Sequence, residues 1–134
     1  MTTITIKKYV TGIEGLYTYF EFVPCDHMTY FEPLRSVFTD HLGYTLEENL
    51  EWVWLSRCTL KKGDFVFELM FQDYYGNFIF SAEKQDEDYY SKLEQLANEV
   101  AEGITTNRYG LQKTNETNSS SSKKQGLFNK LLKR

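Results

Sequence analysis

No stretch of this chain approaches the roughly 18 consecutive apolar residues that a membrane-spanning helix needs. The opening MTTITIKKYV likewise has no apolar core of signal-peptide length. A cytoplasmic protein is expected. Cysteine is scarce: Cys25 and Cys58 stand far apart, in neighbourhoods unlike a disulfide framework, which predicts free thiols in a reducing compartment. The two glycosylation sequons, Asn115-Glu116-Thr117 and Asn118-Ser119-Ser120, are then chance matches in a polar stretch. Proline occurs only as Pro24 and Pro33, so the elements between turns run with little interruption. Glycine never gathers into a phosphate-cradling loop, and Walker, Rossmann and G-x-S-x-G patterns are all missing.

Cationic residues are outnumbered by acids over most of the chain. The last twelve residues hold five cations and no acid; the remainder sets ten cations against nineteen acids, so residues 1–122 carry −9. An acidic body repels nucleic acid and suits a basic protein partner. No CxxC, HExxH or calcium-loop spacing occurs. Neither a metal nor another cofactor is expected. Cys25, His27 and His41 have nucleophile or ligand chemistry, and the acidic set Asp73, Glu83, Asp86, Glu87 and Asp88 has acid/base or cation-binding chemistry, but both lack supporting context, and the acidic set reads as helix capping and a solvated face. The reading is a loop cysteine, a surface histidine and a helix-end histidine, not an enzyme.

What the chain has in abundance is aromatic side chains: ten Phe and ten Tyr among 134 residues. That favours a β-rich fold with an aromatic core, and the length is enough for one domain without staples. Residues 63–81 are the clearest case. Phe65, Phe67, Leu69 and Phe71 alternate onto one face of a strand. Asp73-Tyr74-Tyr75-Gly76-Asn77 supplies a turn, with Gly76 and Asn77 tolerant of positive φ, and Phe78-Ile79-Phe80 returns as a second strand.

Upstream, residues 2–10 and 16–23 read as a hairpin around a turn at Gly12 to Gly15. A helix is predicted over 29–42. Phe31, Leu34, Phe38 and Leu42 form its stripe, Pro33 lies in its first turn, Asp26 or Thr29 caps it, and Gly43 ends it. Thr45-Leu46-Glu47-Glu48 has the form of a capping box opening a short helix. From Glu51 the residues favour a central strand covered on both sides, with Trp52, Trp54, Ser56 and Cys58 on one face. A second helix follows Asp86, its stripe Tyr89, Leu93, Leu96, Ala97, Val100 and Ile104, expected to pack on the Phe face.

The element order is ββ-α-βββ-α. The expected fold class is α+β: an antiparallel sheet of about five strands with two helices on one face. Composition divides the chain into a compact domain, 1–104, a flexible Ser/Thr/Asn-rich linker, 105–122, and a basic amphipathic tail helix, 123–134. In that tail Leu127, Phe128, Leu131 and Leu132 fall on one helical face while Lys130 and Lys133 occupy the rest.

The hairpin with its Asp73-Tyr74-Tyr75-Gly76 turn, followed by the helix after Asp86, loosely resembles small bacterial α+β proteins of uncharacterised or toxin-immunity type. The resemblance implies no particular functional residues. The expected function is a non-enzymatic protein-binding module of immunity, inhibitor or adaptor type. Its expected contact residues are Asp73, Tyr74, Tyr75, Asp86, Glu87 and Asp88. The alternative is a recruitment module whose tail docks weakly on a membrane surface or a scaffold protein.

Overall fold

The computed structural model describes residues 2–11, 17–52 and 54–112. Its centre is one antiparallel sheet of six strands: β1 (Thr5–Thr11), β2 (Tyr17–Val23), β3 (Thr45–Glu51), β4 (Leu55–Lys62), β5 (Phe65–Gln72) and β6 (Gly76–Phe80). The strands lie in the order β1-β2-β6-β5-β4-β3, with β1 and β3 at the edges. Two helical segments complete the fold. The first is a 3-10 turn (Met28–Tyr30) running into α1 (Phe31–Ser36) and then a π turn (Val37–His41); the second is α2 (Glu87–Thr105). The α+β class and the two helices on one face are as expected.

One strand exceeds the expected five, and it lies where a capping box had predicted a helix. Residues 45–48 open β3, which pairs with β4 from Thr45↔Lys61 to Glu51↔Ser56, with a bulge near Glu47. A capping box satisfies only the first turn of a helix. Residues 45–51 are too few, and lack an apolar stripe, to sustain one. Strand pairing satisfies the same backbone groups along the whole segment. The Trp52 N–H donates to the Leu55 carbonyl at 2.6 Å and closes the hairpin. Trp52 and Trp54 therefore belong to a turn, not to the β4 face. That strand is covered on one side only: Ser56, Cys58 and Leu60 are buried, while Leu55, Arg57 and Thr59 are half-buried on the other face.

The core fills the space between the helices and one sheet face. Phe20 and Phe22 of β2, Ile79 of β6, Phe67, Leu69 and Phe71 of β5 and Leu60 of β4 meet Leu34, Val37 and Phe38 from the first helical segment. Leu93, Leu96, Ala97, Val100 and Ile104 come down from α2. The expected seat of α2 needs adjusting. It lies across β1, β2 and β6, and reaches the start of β5 through Lys92, whose ammonium stands 4.6 Å from the Phe65 ring centre, and through Tyr89, whose ring is 5.0 Å from Phe65 and whose hydroxyl donates to the Val66 carbonyl. Over Phe67 sits Phe38 instead, at 5.0 Å.

The ends of the elements follow local chemistry with two corrections. Asp86 caps α2, accepting from the Tyr89 N–H at 2.8 Å, and Gly43 takes φ +78 after the π turn. His27 caps the first helical segment, its Nδ1 accepting from the Thr29 N–H, in place of Asp26 or Thr29. In the β5–β6 turn the positive-φ positions are Tyr74 (+73) and Gly76 (+79), whereas Asn77 is already part of β6.

The domain extends beyond residue 104. Tyr109, Leu111 and Gln112 are buried, and the Gln112 side chain exchanges two hydrogen bonds with the Thr2 backbone and donates a third to the Ile104 carbonyl. Residues 105–112 therefore belong to the core unit, not to a linker. Their composition is polar, but a hydrophobic pair and a fully bonded glutamine are enough to fix them. The rest of the expected linker and the tail helix, with Leu127, Phe128, Lys130, Leu131, Leu132 and Lys133, lie outside the described residues, as does the expected turn at 12–15. Among the described residues, no helix is long and apolar enough to cross a membrane.

Candidate functional site

The β5–β6 turn carries three of the expected contact residues, and the fold sets a second turn beside it. Leu55 pairs with Gln72, so the β3–β4 turn and the β5–β6 turn emerge side by side at one end of the sheet. The Asp73 N–H donates to the Trp54 carbonyl at 3.1 Å and ties them together. Four aromatic side chains project from this pair of turns. Trp52 is 60 %, Trp54 64 %, Tyr74 98 % and Tyr75 55 % exposed. Large apolar rings left this far in water forgo roughly 1.5–3 kcal/mol of burial each. Tyr74 also holds a positive φ that non-glycine residues rarely adopt.

The other expected contact residues lie elsewhere. Asp86, Glu87 and Asp88 follow β6, whereas Asp73, Tyr74 and Tyr75 precede it. Five residues of strand, about 14 Å, separate the two groups. The sheet therefore holds them at opposite ends. At their own end, Asp86 serves as the cap of α2, and Glu87 and Asp88 occupy its first turn, where the helix dipole favours carboxylates. The two tryptophans were missed as site residues because their alternation with Ser56 and Cys58 mimics a strand face. The dipeptide spacing alone could not reveal a turn without glycine, proline or asparagine in it.

Behind the tip, the segment leaving β2 is pinned by Asn77. Its amide nitrogen donates to the carbonyls of Cys25 and His27, both at 2.9 Å, from a fully buried position. Gly76 next to it holds φ +79, which strains any side-chain-bearing residue, and a Cβ there would also displace the Glu21 carboxylate, 2.7 Å away at Oε2. The tip is thus set on a rigid base. Asn77→Ala removes two side-chain hydrogen bonds and leaves the Cys25 and His27 carbonyls with only the Asn77 and Tyr30 backbone N–H donors, and about 1–3 kcal/mol of destabilisation is expected. A urea-unfolding midpoint that does not move would contradict this role.

Cys25, His27 and His41 do not converge as nucleophile and base. Cys25 is fully buried, and burial first, then the Asp26 and Glu21 charges, push its thiol up, away from the thiolate that reacts. Cys58 is likewise buried, and burial pushes its thiol up to about 12. Both are free thiols. His27 is exposed and engaged as a cap; the exposed His41 packs its ring 5.1 Å from that of Tyr109. No group of three or more His, Cys, Asp or Glu side chains arranged to hold a metal occurs among the described residues. A cleft of about 320 Å³ opens between β5 and the segment after β6, beside Glu68, Glu83 and Gln85. The Glu68 carboxylate is engaged by Arg57, whose own pKa that hydrogen bond raises. No protein-family model, curated protein or solved structure significantly matches this chain.

Proposed function

We propose that this chain is a non-enzymatic protein-binding module of immunity, inhibitor or adaptor type, acting in the bacterial cytosol through the tip formed by its two joined turns. The observation that carries this reading is the set of four exposed aromatic rings, Trp52, Trp54, Tyr74 and Tyr75, on turns tied by the Asp73–Trp54 hydrogen bond. Tryptophan and tyrosine dominate binding hot spots because they bury large area for little side-chain entropy. Residues 1–122, with their ten cations against nineteen acids, steer a basic partner toward the module. In this reading Asp73 belongs to the contact, while Asp86, Glu87 and Asp88 contribute long-range charge and hold α2.

The test compares affinity capture of partners by the intact chain, by Trp54→Ala/Tyr74→Ala, and by Asp86→Asn/Glu87→Gln/Asp88→Asn. The tip variant should lose the captured partner, with affinity weakened at least roughly 30-fold for about 2 kcal/mol or more. The acidic variant should mainly slow association and flatten its salt dependence. Equal binding of the same partner by the tip variant, with its fold verified by circular dichroism, would sink the proposal. Removing residues 113–134 should leave capture intact; loss of capture would favour the tail-recruitment alternative.

A further inference from the structure

The outermost strands of the sheet, β1 and β3, each pair on one side only. Among the described residues, no other backbone–backbone hydrogen bond reaches either strand. All seven residues of β3 are exposed, as are five of the seven in β1, where Ile6 and Tyr9 are half-buried. A strand edge left open in this way is a template for another strand. The apolar Val10, Leu46 and Leu50 are exposed along these same edges.

The two edges carry opposite charge. β1 holds Lys7 and Lys8 and no acid; β3 holds Glu47, Glu48 and Glu51 and no cation. Arg35 engages Glu51, whereas Glu47 and Glu48 enter no salt bridge among the described residues. Charges on an edge strand ordinarily keep copies of a protein from joining. Here they oppose two of the three pairings that copies can make. β1 against β1 sets lysine beside lysine, and β3 against β3 sets glutamate beside glutamate. β1 against β3 sets lysines beside glutamates, and opposite charges across a strand pair stabilise it. Direction agrees as well. Every neighbouring pair in the six-stranded sheet is antiparallel, so β1 and β3 run in opposite senses. A second copy placed beside β3, with its helices on the same side of the sheet, therefore presents its β1 antiparallel to it.

We propose that copies of this chain associate head to tail, the β1 edge of one adding to the β3 edge of the next and continuing the antiparallel sheet. With Lys7 opposite Glu48, Lys8 falls opposite Glu47 and Thr5 opposite Leu50. Lys8 is in register with the core residue Phe20, which puts Lys7 on the open face, away from the helices. Glu48 is in register with Thr59 on that same face. Every copy offers one edge of each kind, so the contact is heterologous and assembly continues past the dimer into a ring or a filament. The tip lies at the strand ends and takes no part, so the inference stands independently of the proposed binding role.

The test is sedimentation velocity of the full chain at concentrations up to roughly 1 mM. The intact chain should show species beyond the monomer that grow with concentration. Lys7→Glu with Lys8→Glu makes both edges acidic, and Glu47→Lys with Glu48→Lys makes both basic. Each double variant should weaken association roughly tenfold or more. Mixing the two should restore it, because the acidic β1 of one then meets the basic β3 of the other; misfolded chains show no such rescue. Lys7→Cys mixed with Glu48→Cys should give a disulfide-linked heterodimer that neither gives alone, since directly opposed strand residues lie within disulfide reach. Cys25 and Cys58 are buried and stay out of this reaction. An intact chain that remains monomeric throughout would overturn the proposal. So would association that the charge reversals leave unchanged, or that mixing fails to restore. A monomer that binds an oligolysine peptide, and loses it on Glu47→Lys with Glu48→Lys, would overturn it in favour of a separate basic strand.

Discussion

Phe67→Ala should lower the unfolding free energy by about 3–5 kcal/mol, the usual cost of emptying a large buried site. Phe67 is 1 % exposed and occupies the middle of β5, opposite Leu60. Its ring lies 5.0 Å from Phe38, 5.3 Å from Tyr44 and 5.9 Å from Phe65. It is thus shared between the sheet, the π turn and the segment that enters β3. Deleting it leaves a hole that none of these three can fill without moving a backbone. Since whole domains are stable by only about 5–15 kcal/mol, this one residue is a large fraction of the total. Val66→Ala is the matched control: its side chain points to the open face, is 38 % exposed, and should cost less than about 1 kcal/mol. Urea denaturation of both variants checks the difference. A Phe67→Ala midpoint within error of the Val66→Ala midpoint would show that the core is not organised around β5.

Truncation after Ile104 should cost roughly 4–6 kcal/mol, whereas truncation after Gln112 should cost almost nothing. The first cut removes Thr105, whose hydroxyl accepts from the Ile4 N–H at 2.8 Å. It also removes Tyr109 and Leu111 from the core, and the three side-chain hydrogen bonds of Gln112. Tyr109 fits against Gly103 so closely that a Cβ there would come within 2.3 Å of its ring, so its loss uncovers the helix backbone itself. Thr2 and Ile4 would lose their partners at the start of β1, and the edge of the sheet would open with them. Comparing the melting of chains ending at 104 and at 112 decides the matter. Equal melting temperatures would place the domain boundary back at the end of α2.

These two cases divide along the line between local pattern and contact. The Phe67 prediction could be drawn from the sequence, because alternation of Phe65, Phe67, Leu69 and Phe71 is a period-two signal that survives any tertiary arrangement. The helix over 87–105 was legible for the same reason: its stripe and the Asp86 cap are local. The packing of 105–112 was not, since polar residues with one tyrosine and one leucine look like a linker until Thr2 is brought beside Gln112, far away in sequence. The β3 strand was hidden in the same manner. Thr45 to Glu48 satisfies a capping-box pattern, and only the neighbouring β4 makes a strand the better use of its backbone.

By itself the sequence determined the composition of the two sheet faces, the positions of both helices, the Asp73–Gly76 turn and the acidic charge of the body. Each of these depends on residues within a few positions of one another. Tertiary structure decided which of the expected contact residues share one end of the sheet. It separated 73–75 from 86–88 by the length of a strand, and it joined Trp52 and Trp54 to Tyr74 and Tyr75. The physical reason is strand pairing. Register places residues about twenty positions apart within a single hydrogen bond of each other, and no local pattern encodes which turn will stand beside which.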